Sequence, residues 1–469
     1  MSSPTDSTDG AQPTVLIVGA GIAGLTLGLL LERAGIPYKI LERAPIVKHL
    51  GSAMSFGDSV APLFRQLGIY EDFARASLRN NQVIMRDEKA DLDFIVDFSP
   101  KTEFGGAPTR IITRPAMYDI LYRRIPREKI FLNKRVSIFK NTEAGVHLTC
   151  SDDSEYEGHI VVGADGANSS VRQSIFTQLK EAGRLSASDA IPLPYNCICL
   201  VGQTREVDDE EFPELKNELC QTNNMVAIGS PYTWITFTTP EKRICYMAIQ
   251  HLDQETSKEQ DTLSEWGPEA AAAMCNQVRH LPVPNGPVGS TLGTLIDLTP
   301  KELISKVTLE EKVFDTWYSG RAVLIGDACH KLSPLGAVGG STAMHDAICL
   351  ANWINVLPSL DIAALETIFE EYQRERQPVA VENFKKSQVY ATGSAKTILG
   401  AVMRFIQRRM PHWLWMRILK SEPTDRPQVS FLPLVEDKGT IPPAPQPSLT
   451  KTLEILAATG RSISKIGCN

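Results

Sequence analysis

The stretch TVLIVGAGIAGLTLGLLLERAGIPYKILE, residues 14–42, narrows the fold more than any other part of the chain. Residues 14–18 are a short apolar run between Pro13 and Gly19, the pattern of a strand buried on both faces of a parallel sheet. Apolar residues then recur at helical spacing from Ile22 to Ala34, and Gly35 and Pro37 stop the helix. A second strand follows and ends at Glu42. Strand, glycine turn, helix, strand and acid in about thirty residues form a dinucleotide-binding unit. Gly19 permits the turn, Gly21 lets the backbone approach a pyrophosphate, and Gly24 lets helix and strand pack closely. The helix N-terminus offers unpaired N–H groups and a partial positive charge to the same pyrophosphate. Glu42 is placed to accept hydrogen bonds from the adenosine ribose. Its charge disfavours a 2′-phosphate, which leaves NAD or FAD.

Two later stretches separate those cofactors. HIVVGADGANSSVRQSI, residues 159–175, is again an apolar strand ending in glycine, followed by Asp165-Gly166 and by Ser169-Ser170 as helix caps. RAVLIGDACHKLSPLGAVGGSTAMHDAICLANWI, residues 321–354, is a third such strand, ending at Gly326-Asp327, with a helix starting near Gly340. Three strands ending in glycine deliver three loops to one edge of a sheet. A simple NAD domain needs only the first.

The trio resembles the class A flavoprotein monooxygenases, the p-hydroxybenzoate hydroxylase-like family, and most nearly its fungal secondary-metabolite members of the paxilline type. The resemblance runs from about residue 13 to about 420. It implies that Gly19, Gly21 and Gly24 hold the pyrophosphate of FAD, Glu42 the adenosine ribose and Asp327 a ribityl hydroxyl. Asp165-Gly166 resembles the segment that touches both FAD and a nicotinamide nucleotide. Arg114 in ITRPAMYDIL resembles an arginine that contacts FAD, and Gly51 matches a flavin-proximal backbone position. Gly339 and Gly340 let the backbone approach the flavin ring, with Gly340 the first candidate for the contact, where a helix N-terminus stabilises the anionic reduced form. In the same loop Ala337, Val338, Ser341 and His345 replace the family's usual Gly, Gln, Asn and Glu. His345 is read as a core or solvent-facing residue and His330 as structural, near the flavin.

The implied architecture is α/β. A Rossmann-type FAD-binding domain (13–180 and 290–360) follows a disordered lead (1–12) and carries an inserted antiparallel-sheet substrate domain (181–289, with part of 80–112). C-terminal helices (361–420) and a Pro-rich tail (421–469) complete the chain. Tyr232 and Trp234 sit two apart on a strand and share one face, either packed in the core or lining the substrate pocket. No paired carboxylates, Ser-His-Asp set or metal-spaced histidines emerge, so catalytic residues stay unassigned and the oxidant belongs to the cofactor.

The implied reaction consumes NADPH or NADH and inserts one atom of O₂, by way of a flavin C4a-hydroperoxide, into a small electron-rich aromatic or alkene. An FAD oxidase or dehydrogenase, or a flavin-binding protein without turnover, uses the same scaffold. A formal net charge of −7 with no basic block excludes nucleic acid as a partner. The N-terminus lacks the basic and apolar regions of a secretory leader, no apolar run reaches the ~18 residues of a spanning helix, and unpaired cysteines suit a reducing, cytoplasmic setting. Residues 397–420 mix arginines with tryptophans, which suits either an interfacial membrane helix or one covering the substrate domain.

Overall fold

The structure, a computed structural model, describes residues 12–46, 53–142, 144–193, 195–226, 230–252, 268–284, 286–394, 398–421 and 424–460. Val15–Val18, buried throughout, runs through the middle of a six-stranded sheet. It pairs in parallel with Tyr38–Leu41 on one side and Ile160–Gly163 on the other, and Ala322–Leu324 adds in parallel beyond the latter. The three strands that run into glycine turns are therefore neighbours with one direction, and their loops leave the same edge. That edge lies where the strand order reverses about Val15–Val18, the place where open α/β sheets bind ligands. Helices Ile22–Ala34 and Gly339–Asn355 pack on each other within the same apolar core.

A seven-stranded sheet forms the second body. Its order is Ser305–Glu310, Tyr195–Gln203, Arg243–His251, Tyr232–Thr239, Thr222–Val226, Gln82–Arg86 and Leu92–Asp97, antiparallel except between Thr222–Val226 and Gln82–Arg86. Side chains alternate between its faces. One face packs Leu200, Met225, Trp234, Tyr246 and Ala248 with residues of helices Pro268–Val278 and Leu292–Asp297. The other carries Cys199, Val201, Ile249 and Leu309. Residues 290–310, expected from the sequence to open the second part of the cofactor domain, lie spatially beside the substrate sheet. Leu292–Asp297 packs in the substrate core and Ser305–Glu310 is an edge strand of the substrate sheet, recruited by pairing with Tyr195–Gln203.

Helix Ile362–Ser394 spans 33 residues, and helices Ile398–Arg408 and His412–Ser421 follow. Residues 424–446 form no helix or strand but are tied to the body. Gln66 exchanges two hydrogen bonds with the Val429 backbone (3.0 and 2.9 Å), and Asn352 donates to the Gln428 carbonyl (3.1 Å) and accepts from the Ser430 N–H (2.8 Å). Helix Pro447–Ala458 then docks through Ser448 on Glu375.

Candidate cofactor site

The glycines of the first turn have separate reasons. Gly19 has φ +105°, and a Cβ there would lie 2.5 Å from the Ala164 carbonyl oxygen, so the turn needs both the conformation and the space. A Cβ on Gly24 would lie 2.0 Å from the Gly19 carbonyl oxygen. Gly21 is different: its nearest neighbours to a Cβ would be Ala164 and the Tyr118 hydroxyl at 3.7 and 3.9 Å. The protein itself makes no demand for glycine at 21, and the space it leaves lies at the N-terminus of helix Ile22–Ala34, which no side chain caps. That vacancy is what a pyrophosphate approaching the backbone requires.

The other loops close around this point. Glu42 spans the turn, its two oxygens accepting from the Ala20 and Ala44 N–H groups at 2.8 Å each. Asp165 directly adjoins Gly19 and caps helix Ser170–Glu181, one oxygen accepting from the Ser170 N–H (2.7 Å) and hydroxyl (2.9 Å). Its other oxygen is buried without a hydrogen-bond partner, a costly state that a ligand hydroxyl or N–H would relieve. Arg114 begins helix Arg114–Tyr122, whose N-cap is Thr113. Its guanidinium donates to the Tyr118 hydroxyl (3.5 Å). Tyr118, against the opposing effect of burial and with help from Asp327, holds that guanidinium above its ordinary pKa.

In the third loop Gly326 takes φ +60° and fits between Ala23 and Ala343, so the loop seats on both long helices. Asp327 pairs with Lys331. Burial pushes its carboxyl up, but Lys331, with His330 and Arg114, leaves it below the ordinary value. Gly339 and Gly340 open a helix whose N-terminus lacks a side-chain cap. They are not equivalent. A Cβ on Gly340 would meet the Met54 methyl at 2.6 Å and the Phe56 ring at 3.2 Å, so this glycine serves packing, whereas Gly339 has no neighbour within 4 Å and is the open one. Gly51 lies outside the described residues.

Beneath the loop is a buried ionic pin that sequence reasoning missed. Asp346 accepts from His330 Nε2 (2.6 Å) and the Gly326 N–H (3.0 Å) on one oxygen and from Arg376 Nε (3.0 Å) on the other. Burial alone would raise this carboxyl, but His330 and Arg376 together keep it below its ordinary value. Cys329, His330 and Asp346 bring ligand-type atoms within 4.8 Å of one another. Both Asp346 oxygens are already engaged, so the cluster fixes the GDACH turn to two helices. His345, on the same helix, is buried and meets the Ser59 carbonyl at 2.9 Å. The solvent-facing alternative for His345 is thereby excluded. Only the run of a histidine, an aspartate and an arginine within the motif and the next helix pointed to the pin.

Tyr232 and Trp234 do share one face, but it is the helix-covered one. Trp234 is 1% exposed and donates from Nε1 to the Pro282 carbonyl (2.7 Å), and Tyr232 reaches Gln277 on helix Pro268–Val278 (3.3 Å). Of the two readings, core packing is the one these contacts support, and the pocket alternative is set aside because helix residues pack against this face. The opposite face carries Ile235, Met247 and Val201 in register, with Asn224 across from Ile235 and Met85 across from Asn224. Asn224 is buried, its Nδ2 lies 3.7 Å from Met85 Sδ, and its Oδ1 has no hydrogen-bond partner.

A parallel sheet with three glycine loops at its switch point, two uncapped helix N-termini and a capped second sheet define a dinucleotide-cofactor oxidoreductase. Comparison with known proteins makes this specific. Residues 12–196 and 290–387 match the family described as FAD binding domain. The chain is 30% identical over 355 residues to aurachin C monooxygenase/isomerase of Stigmatella aurantiaca, spanning 75% of this chain and 82% of that one. It is 29% identical over 391 residues to FAD-dependent monooxygenase ausM of Penicillium brasilianum, with 80% and 77% covered. The crystal structure of Klebsiella pneumoniae HpxO complexed with FAD and uric acid shares the fold, with a TM-score of 0.68 at 18% identity over 87% of this chain and 94% of that one. The chain belongs to this FAD-binding family and is a flavoprotein oxidoreductase of the FAD-dependent monooxygenase group, of the class A kind found in fungal secondary metabolism.

Proposed function

We propose that the protein uses NADPH or NADH and O₂ to insert one oxygen atom into a small, mainly apolar, electron-rich aromatic or alkene substrate. The balance is substrate, O₂, NAD(P)H and a proton giving oxygenated substrate, water and NAD(P)⁺. FAD supplies the redox chemistry, carrying two electrons from the nicotinamide to oxygen. The observation that carries the reading is the unexplained openness of Gly21 and Gly339, each at an uncapped helix N-terminus, against the tight packing that explains Gly19, Gly24 and Gly340.

In this reading the first helix N-terminus binds the pyrophosphate, Glu42 the adenosine ribose and Asp327 a ribityl hydroxyl. Arg114 and the open oxygen of Asp165 flank them. The Gly339 end directs backbone N–H groups and a helix dipole at the anionic side of the reduced ring. The substrate lies against the opposite face of the second sheet. Met85, Ile235 and Met247 exclude water there, and Asn224 Oδ1 accepts one hydrogen bond from the substrate. Such a face selects an apolar molecule bearing one donor.

The test is an anaerobic absorbance spectrum of the purified protein before and after NADPH or NADH, with and without aromatic and alkene substrates, followed by turnover in isotopically labelled O₂. A flavin band that bleaches, and one labelled oxygen atom in the product, are expected. Absence of flavin sinks the cofactor assignment. Oxidised product without label replaces the monooxygenase with a dehydrogenase or oxidase.

A further inference from the structure

Helix Ile398–Arg408 is mounted the wrong way round for a surface helix. An amphipathic helix on a soluble body turns its apolar stripe inward and its charges to water. Here Leu399, Val402, Phe405 and Ile406 are 60, 48, 56 and 54% exposed. Positions 399, 402 and 406 follow the three- and four-residue spacing of one helix face, and 405 flanks them. The inward side instead holds Gly400 and Arg404, both buried, and Arg408 pairs with Asp93 on the edge strand Leu92–Asp97.

The apolar surface continues beyond that helix. After the break at Pro411, Trp413 is 66% exposed on helix His412–Ser421, and Trp415 donates from Nε1 to the Asp97 carbonyl (2.6 Å). These two ties hold both helices against strand Leu92–Asp97, whose Leu92 and Ile95 are themselves exposed. The apolar side chains of the two helices are thus anchored at one edge of the substrate domain.

The charge on the two helices is one-sided. Residues 397–421 contain Arg404, Arg408, Arg409, Arg417 and Lys420 and no acidic residue, in a chain whose formal net charge is −7. Arg409 lies over the Phe405 ring, its guanidinium carbon 4.0 Å from the centroid, which places a cation at the border of the stripe. Arg417 and Lys420 are exposed on the second helix. Outward apolar side chains, an exposed tryptophan and helices whose charged residues are all cations match a surface lying in the headgroup layer of an anionic bilayer. Among the described residues no helix is long and apolar enough to cross a membrane.

We propose that residues 398–421 form a peripheral docking surface for anionic lipid bilayers. The occupant is a lipid surface and not a second copy of the chain, because two copies meeting through these helices would bring the same unpaired cations, Arg409, Arg417 and Lys420, towards each other.

The experiment is co-sedimentation of the full-length, flavin-loaded protein with phosphatidylcholine vesicles, with and without phosphatidylserine, at low and high salt. Binding about tenfold stronger to the phosphatidylserine vesicles is expected, weakening with salt. Phe405→Ser with Ile406→Ser abolishes binding to both vesicle types while flavin content and spectrum stay those of the parent. Arg409→Gln with Arg417→Gln removes the phosphatidylserine preference alone. In the unmodified protein, brominated lipids quench tryptophan emission, and Trp413→Phe removes most of the quenching. Equal binding to the two vesicle types, or binding to neither, overturns the proposal. So does a dimer in sedimentation equilibrium that Phe405→Ser with Ile406→Ser converts to monomer.

Discussion

The two sheets of this protein carry function in opposite ways. The six-stranded sheet is buried on its strands and works at its edge, through backbone N–H groups, helix ends and the space that a missing Cβ leaves. The seven-stranded sheet works on a face, through side chains whose role depends on which side the helices cover. A site made of backbone and vacancies tolerates change everywhere but at its glycines. One made of side chains is rewritten by single substitutions that leave the fold alone. The cofactor half is therefore the constant part of such an enzyme and the substrate half the variable one.

The largest effects come from breaking the glycine argument. Gly24→Ala places a Cβ 2.0 Å from the Gly19 carbonyl oxygen, both of them backbone-held, so neither can move aside. The expected outcome is insoluble protein or protein without flavin and with a strongly lowered melting temperature. Gly21→Ala meets nothing closer than 3.7 Å. It is expected to fold as the parent by circular dichroism and to lose FAD affinity by at least about tenfold, or ~1.4 kcal/mol. Equal retention of FAD by Gly21→Ala and the parent would show that Gly21 does not face the pyrophosphate.

The next pair divides the two faces of the seven-stranded sheet. Trp234→Ala removes a fully buried indole and leaves the Pro282 carbonyl without its donor. A loss of about 3–5 kcal/mol is expected, read as a lower denaturation midpoint with the flavin spectrum unchanged. Asn224→Leu removes an amide whose Oδ1 has no partner, so the protein stays as stable or gains slightly. Its effect is expected in KM for substrate, by about tenfold, with NADPH-driven flavin reduction retained. Should Trp234→Ala change KM without changing stability, the assignment of the faces would be inverted.

This division also explains what the sequence made legible. Glycine turns, the Glu42 that spans the first of them and the GDACH loop are local, and each leaves its requirement in the residues themselves. The period of two that paired Tyr232 with Trp234 was right, but a period cannot say which side of a sheet the helices cover. Both faces of the central strands are apolar, with Leu200 and Ala248 on one and Val201 and Ile249 on the other. The place of strand Ser305–Glu310 in the second sheet left no local signal, because it joins that sheet across about a hundred residues of intervening chain. The pairing of Asp346 with Arg376 likewise depends on how two helices cross, which no local pattern records.

A smaller effect reads the seam where the cofactor half meets residue 59 and the C-terminal segment. Burial, with the Arg376 charge, pushes the His345 imidazole down to about 4, so it is neutral in the native state and donates to the Ser59 carbonyl. The unfolded chain takes up a proton at this residue near its ordinary value of about 6.5. The neutral histidine's contribution is therefore complete above pH 6.5 and is lost as pH falls from 6.5 towards 4. His345→Gln keeps a donor for Ser59 and cannot titrate. Its stability is expected to fall less steeply than the parent's over that interval in denaturant titrations at stepped pH. Parallel slopes for the two proteins would mean that His345 is charged in the fold.

The smallest expected effect tests whether the third loop is itself strained. Ala337 sits at φ +52°, ψ 21°, in the left-handed region, at the position where the resembling family has glycine. An alanine there costs roughly 1–2 kcal/mol in backbone energy, and glycine recovers that while losing roughly 0.5–1 kcal/mol in chain entropy. Ala337→Gly is thus expected to stabilise the protein by no more than about 1.5 kcal/mol, a rise of at most a few degrees (~3 °C) in melting temperature. Measuring the shift with and without FAD separates two causes. An equal rise in both states means the strain belongs to the protein alone. A rise confined to the FAD-free protein means that the bound cofactor already holds residue 337 in place, and that the loop's conformation is part of the flavin site.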